Sequence, residues 1–162
     1  MAKNDDKTNV MRILEQHGIS YIPHSYDPSD GCIGAAAVAA KIGVPDYALY
    51  KTLVTRGASG RHYVFVIPAT SELDLKPAAK AVGEKSVAMI RQAELLPLTG
   101  YIHGGCSPVG MKKQFPTCFE EEIILLDTVT VSAGKVGRQI ELAPAELINL
   151  VSGFTAQVSK DK

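Results

Sequence analysis

The chain has 162 residues, 46% of them apolar and 21% charged, which is material for one soluble domain with its own core and no need of covalent staples. Seventeen lysines and arginines balance seventeen aspartates and glutamates. That balance excludes a dedicated duplex-DNA binder, whose affinity comes mainly from neutralised phosphates, so any nucleic-acid contact is local.

The N-terminus, MAKNDDKTNV, is polar and lacks an apolar signal core, and no later run approaches the ~18 apolar residues that cross a bilayer. The expectation is a cytoplasmic protein with no membrane partner. Residues 1–7 are expected to be a flexible N-terminus, 8–157 the domain, and 158–162 a flexible C-terminus. KTNVMRILEQHG reads as a helix capped at Thr8 or Asn9 and ended by Gly18, with Val10, Ile13, Leu14 and His17 on one face. ISYIPHSY is strand-like, and Pro23 places it at an edge or a bulge. DPSDG is turn chemistry, and GAAAVAAKIG a short helix closed by Gly43. LYKTLVTRGASGRHYVFVIPA holds two β-rich runs around a glycine-bearing turn, a hairpin pattern. LDLKPAAKAVG predicts a helix capped at Asp74, SVAMI a short strand, and RQAELL one or two helical turns before Pro97. TCFEEEIILLDTVTVSAG and RQIELA carry further strands, with Glu120–Glu122 read as a solvated acidic edge. Pro144 then opens a last helix, APAELINLVSG. Strands in hairpin succession with intervening helices give an α+β domain with a mixed, mostly antiparallel sheet.

The residues that could carry chemistry are few. Cys32, Cys106 and Cys118 stand far apart, with no C-x-x-C pair and no matched histidine spacing, so neither a disulfide framework nor a metal site is expected, and no cofactor motif is present. Cys106 has His103 three residues away but no hydrolase signature around it, and reads as a small packed residue. Gly105 to Lys112 imitates a phosphate-binding loop loosely. Met111 separates the second glycine from the lysine, and Pro108 removes an amide donor. Gly104, Gly105 and Gly110, with Ser107 and Pro108, form either a main-chain donor pocket or a tight crossover that binds nothing, and the residues alone leave both open. SAGKVGR, 132–138, is either a facing loop or an ordinary hairpin turn. Lys51 alternates with Leu49 and Leu53 on one side of its strand. Its ammonium either snorkels to an edge or lines a pocket. His24 and Tyr26 share a face with Ile22.

Taken together, HSYD, YKTL, LDLKPAAKAVG, TGYIHGGCSPVGMKKQFPT and VSAGKVGRQIELAPAEL resemble the YbaK/EbsC family of aminoacyl-tRNA deacylases, relatives of the editing insertion domain of bacterial prolyl-tRNA synthetase. The resemblance implies a sheet curled into a partial barrel with helices outside. It implies hydrolysis of a mischarged aminoacyl ester at the acceptor end of tRNA, Cys-tRNA(Pro) foremost and Ala-tRNA(Pro) as the alternative, with prolyl-tRNA synthetase as partner. A non-catalytic amino-acid-binding or partner-binding module on the same scaffold is the competing class. By the resemblance, Lys51 engages the terminal adenosine or its phosphate and Tyr26 lines the same pocket. Gly104, Gly105, Ser107, Pro108 and Gly110 cradle the aminoacyl group, and Ser132, Gly134 and Gly137 face it. Lys76, Lys80, Lys85, Lys112, Lys113 and Arg138 are candidates for a local tRNA patch. The chain departs from the family at Ala35-Ala36, Ala133, Val136 and Cys106.

Overall fold

A computed structural model describes residues 7–162, so most of the expected N-terminal tail, residues 1–6, lies outside the described residues. The first helix, α1 (Asn9–Gln16), is capped by Thr8, whose hydroxyl accepts from the Met11 amide at 3.3 Å. Val10, Met11 and Leu14 form its buried stripe. Strand β1 (Ile22–Ser25) carries Pro23 and occupies a sheet edge, where a missing amide costs no ladder bond. Helix α2 (Ala35–Ile42) ends at Gly43 in the left-handed conformation.

The centre of the domain is the hairpin β2 (Tyr50–Gly57) and β3 (His62–Pro68). Strand β3 is buried on both faces. Val64 and Val66 point into the main core, while Tyr63, Phe65 and Ile67 point into a second one. That explains its near-continuous apolar run. After β4 (Ser71–Leu73) comes α3 (Leu75–Val82), which packs Ala78 and Ala79 into the second core. Strand β5 (Val87–Met89) leads to α4 (Gln92–Thr99). This helix runs two residues past Pro97 instead of stopping before it. Gly100 N donates to Leu96 O at 2.8 Å and Thr99 Oγ1 to Leu95 O at 2.8 Å, so later carbonyls stay bonded although the proline lacks its amide.

The 101–116 segment carries no helix or strand, and β6 (Thr117–Glu120), β7 (Val129–Lys135), β8 (Arg138–Leu142) and α5 (Pro144–Leu150) follow. Short strands β9 (Phe154–Ala156) and β10 (Ser159–Asp161) complete the chain. The stretch 158–162, read from sequence as a flexible tail, thus contains a strand paired with β4. Its anchor is Glu120. Instead of being solvated, this carboxylate is 2% exposed, and its Oε1 accepts from Val158 N, Ser159 N and Ser159 Oγ at 2.9, 2.8 and 2.7 Å.

The strands form a five-stranded sheet, β5-β2-β3-β6-β9, a three-stranded sheet, β1-β8-β7, and the β4–β10 pair. The β3–β6 and β6–β9 pairs are parallel and the others antiparallel. The two larger sheets meet at one bridge, Leu49 opposite Thr130, so the surface curls without closing into a barrel. The main core fills the curl, with Val129, Val131, Ala133, Ile140 and Leu142 facing Val54, Val64 and Val66 across it. A cavity opens beside the junction, where the start of β2 leaves the outer face of β7 and β8.

Candidate functional site

The cavity encloses about 220 Å³. Leu49 and the β2 residues Tyr50 to Leu53 form one wall, and Ser132 and Gln139 come from the adjoining β7–β8 pair. Leu95 enters from α4, His103, Gly104 and Cys106 from the glycine-rich loop, and Ile33, Ala35 and Val38 from around α2. Most of the lining is apolar, with a handful of polar groups, the composition of a small-molecule site. Among the described residues, no aspartate or glutamate lines it. Among the described residues, no group of three His, Cys, Asp or Glu is placed to hold a metal ion.

Of the residues singled out in the sequence, Lys51, Tyr26, Gly104 and Ser132 meet in this cavity. Lys51 is half-buried and makes no hydrogen bond or ion pair with a described residue. Burial, with the charge of Lys162 nearby, holds its ammonium below the ordinary lysine range. Tyr26 is held from two sides. Its amide donates to Gly137 O at 2.9 Å, and the Lys41 ammonium stands 5.5 Å from its ring centroid. Lys41 also binds the Asp30 carboxylate at 2.8 Å and the carbonyls of Asp27 and Cys32, tying the 27–34 turn down beside the cavity.

The other glycines act one layer behind. A side chain on Gly137 would press a Cβ to 2.9 Å from Tyr26 O, so this glycine permits the contact that carries Tyr26. Gly105 lies against the main chain of Lys135 and Val136, which docks the two glycine loops on each other. Gly110 and Gly134 both pack on Tyr101, where a Cβ would approach its Oη to 2.9 Å and its Cε1 to 3.0 Å respectively. Tyr101 Oη in turn donates to Val109 O. Ser107 is fully buried, accepts from Val109 N at 3.2 Å, and with buried Pro108 stiffens the loop from below without lining the cavity. The glycine-rich stretch is therefore a scaffold that delivers Gly104 and its neighbours to the cavity wall.

Three wall residues were given no binding role by the sequence reading. Cys106 is 8% exposed, and burial pushes its thiol up to about 12, which keeps it protonated on the wall at neutral pH. Thr52 follows Lys51 and has a buried Oγ1 with no partner among the described residues. Gln139 is 6% exposed, and its carboxamide makes no hydrogen bond to a described residue. Both lie inside motifs quoted for the family resemblance, but no role followed from that, because cross-strand register decides which side chains share a wall. On the same face, His24 Nε2 lies 2.8 Å from Glu141 Oε1, and Thr128 Oγ1 donates to Glu141 Oε2 at 2.6 Å. These bonds satisfy the polar face between the cavity and the sheet edge. Lys76, Lys80, Lys85, Lys112 and Lys113 are exposed, while Arg138 is half-buried and bonded.

Comparison with known proteins agrees with the architecture. The family model of the aminoacyl-tRNA editing domain matches residues 31–150. A relative from Enterococcus faecalis, described as "Putative Cys-tRNA(Pro)/Cys-tRNA(Cys) deacylase EbsC", is 46% identical over 157 residues, 97% of this chain and 96% of that protein. Among solved structures, a hypothetical protein superposes with a TM-score of 0.85 at 25% identity over 94% of this chain and 100% of its own. The structure described as "a putative trans-editing enzyme for prolyl tRNA synthetase" shares the fold, with a TM-score of 0.81 at 24% identity, over 94% of this chain and 98% of its own. The described residues include no helix long and apolar enough to cross a membrane. With a model match across most of its length and near-complete overlap with EbsC, the chain belongs to the aminoacyl-tRNA editing domain family and is an aminoacyl-tRNA deacylase of the YbaK/EbsC kind.

Proposed function

We propose that the protein clears cysteine from mischarged tRNA(Pro) in trans, in the cytoplasm and beside prolyl-tRNA synthetase. The observation that carries this reading is the near-full-length similarity to a relative described as acting on Cys-tRNA(Pro) and Cys-tRNA(Cys). The cavity supports it. A volume of about 220 Å³ suits an aminoacyl group with the edge of its ribose, and is far too small for folded RNA. The terminal adenosine and its phosphate then lie at the mouth against Lys51. Gly104 and Ser132 present main-chain and hydroxyl groups to the ester.

The chemistry requires no enzyme nucleophile. In the proposed step the substrate's own thiol sulfur attacks its ester carbonyl. A carbon–sulfur bond forms, the ester carbon–oxygen bond breaks, and the thiol proton passes to the departing ribose oxygen. Water opens the resulting thiolactone to free cysteine. Holding thiol and carbonyl in near-attack geometry supplies as much as ~7–11 kcal/mol of the barrier, and donors aimed at the developing oxyanion add to it. The neutral, buried Cys106 fits this division of labour, since it leaves the thiol chemistry to the substrate.

The deciding experiment incubates purified protein with Cys-tRNA(Pro), Ala-tRNA(Pro) and Pro-tRNA(Pro). Cysteine is released fastest and proline no faster than in buffer. Selective loss of alanine would move the assignment to the alanine-clearing class. Saturable amino-acid binding without release from any tRNA would make the protein a binding module. Ser-tRNA(Pro), which carries a far weaker nucleophile, stays charged if the substrate's thiol does the work.

A further inference from the structure

The cavity wall contains a polar group that makes no hydrogen bond to any described residue. Gln139 is the second residue of β8, opposite His24 on one neighbouring strand and Ser132 on the other. Residues paired across antiparallel strands project from the same face, so Gln139 and Ser132 enter the cavity side by side. Gln139 is more than nine-tenths buried, yet its carboxamide makes no hydrogen bond to a described residue and opens onto the cavity. The carboxamide is reached from the cavity, where a polar group on a mostly buried side chain is satisfied by whatever fills the site. A ligand supplies the missing partner.

We infer that Gln139 receives the α-amino group of the bound aminoacyl ester on its carboxamide oxygen. This assignment rests on the deacylase reading and deepens it. An aminoacyl ester carries one strong donor, its amino group, and among the described residues the cavity offers no carboxylate to meet it. Lys51 is a poor host for that group, because an ammonium has no lone pair. Ser132 Oγ already accepts from Gly134 N at 3.1 Å. The carboxamide oxygen is the strongest neutral acceptor left on the wall. Its place also fits: Lys51 sits at the half-buried end with the adenosine, whereas Gln139 lies with Leu49, Tyr50 and Cys106 among the most buried lining residues, where the amino-acid portion must go.

The test compares two non-hydrolysable ligands by calorimetry, 3′-cysteinylamino-3′-deoxyadenosine and its 3-mercaptopropionyl counterpart, which differ only in the α-amino group. The wild-type protein prefers the cysteinyl ligand by about tenfold or more, as expected for a hydrogen bond to a charged group. Gln139→Leu, close in volume, loses that preference while binding the 3-mercaptopropionyl ligand as before. Gln139→Glu, which keeps an acceptor oxygen, retains the preference. A preference that persists in Gln139→Leu, equal weakening of both ligands, loss of preference in Gln139→Glu, or no preference in the wild type each overturns the assignment. Deacylation of Cys-tRNA(Pro) by the wild type, assayed in parallel, then stands on its own. Absence of both turnover and binding in the wild type removes the deacylase reading and this assignment together.

Discussion

Gly105→Ala probes how the two glycine loops are joined. A Cβ at Gly105 lies 2.9 Å from Val136 N, 3.1 Å from Lys135 C and 3.3 Å from Lys135 Cα. Non-bonded carbon contacts settle at about 3.5–4.0 Å, so one methyl forces the loops roughly half an ångström apart. All three atoms are main chain, and no rotamer change relieves them. Overpacking of this kind costs about 1–3 kcal/mol. For a chain of this size each kcal/mol lowers Tm by about 2–4 °C, so differential scanning calorimetry should register a fall of about 2–12 °C. Activity suffers too, because Gly104 on the cavity wall is the adjacent residue. A misplacement of about 1 Å can cost on the order of 100-fold, so half of that predicts a loss of roughly tenfold in kcat/KM on Cys-tRNA(Pro). Gly18→Ala is the control. Gly18 has φ +67° and open space around it, so an alanine there pays only the left-handed backbone strain of about 1–2 kcal/mol and leaves activity intact. Wild-type melting and turnover in Gly105→Ala, or an activity loss in Gly18→Ala as large as in Gly105→Ala, would refute the docked-loop account.

Lys51→Met should lower kcat/KM by roughly 10²–10³ without lowering Tm, because the ammonium it removes is desolvated and unpaired; a wild-type rate would take Lys51 out of the site. Lys51 also has a pH signature. The folded chain holds its proton less tightly than the unfolded chain, so stability rises with pH between the depressed folded value and the ordinary lysine value. Urea titrations across that alkaline window should show the rise in wild type and a flatter profile in Lys51→Met. Iodoacetamide at pH 8 should alkylate exposed Cys32 and spare Cys106 and Cys118, whose thiols are pushed up to about 12 by burial. Peptide mass spectrometry reads this directly, and rapid labelling of Cys106 would restore it as a candidate nucleophile. Glu120→Ala strands the Val158 and Ser159 amides, costs about 2–4 kcal/mol, and should make the C-terminal strand the first site of limited proteolysis. A protease-resistant C-terminus in that variant would show that β10 is held by other contacts.

The sequence by itself determined the local elements with strong punctuation. Thr8 and Gly18 bound the first helix, Gly43 and Gly83 close the second and third, and Pro144 opens the last. The β2–β3 hairpin was legible because a glycine-bearing turn separates two apolar runs. Motif order along the chain also pointed to the family before any geometry was known. Short strands were a different matter. β4, β9 and β10 have three residues each, too few for a periodic signal, and exist only because a partner strand or Glu120 offers bonds. The same limit governs the site. Lys51, Tyr26, Gly104 and Ser132 meet at one wall, yet Gly110 and Gly134, which stand beside them in the motifs, turn away to hold Tyr101. Thr52 and Gln139 stand inside the YKTL and VSAGKVGRQIELAPAEL motifs, yet the motifs alone gave them no place on the wall. Sequence spacing encodes which residues a loop contains, whereas strand register and the curl of the sheets choose which of those residues face the cavity. That choice arises from packing between elements distant in the chain, and only the tertiary structure records it.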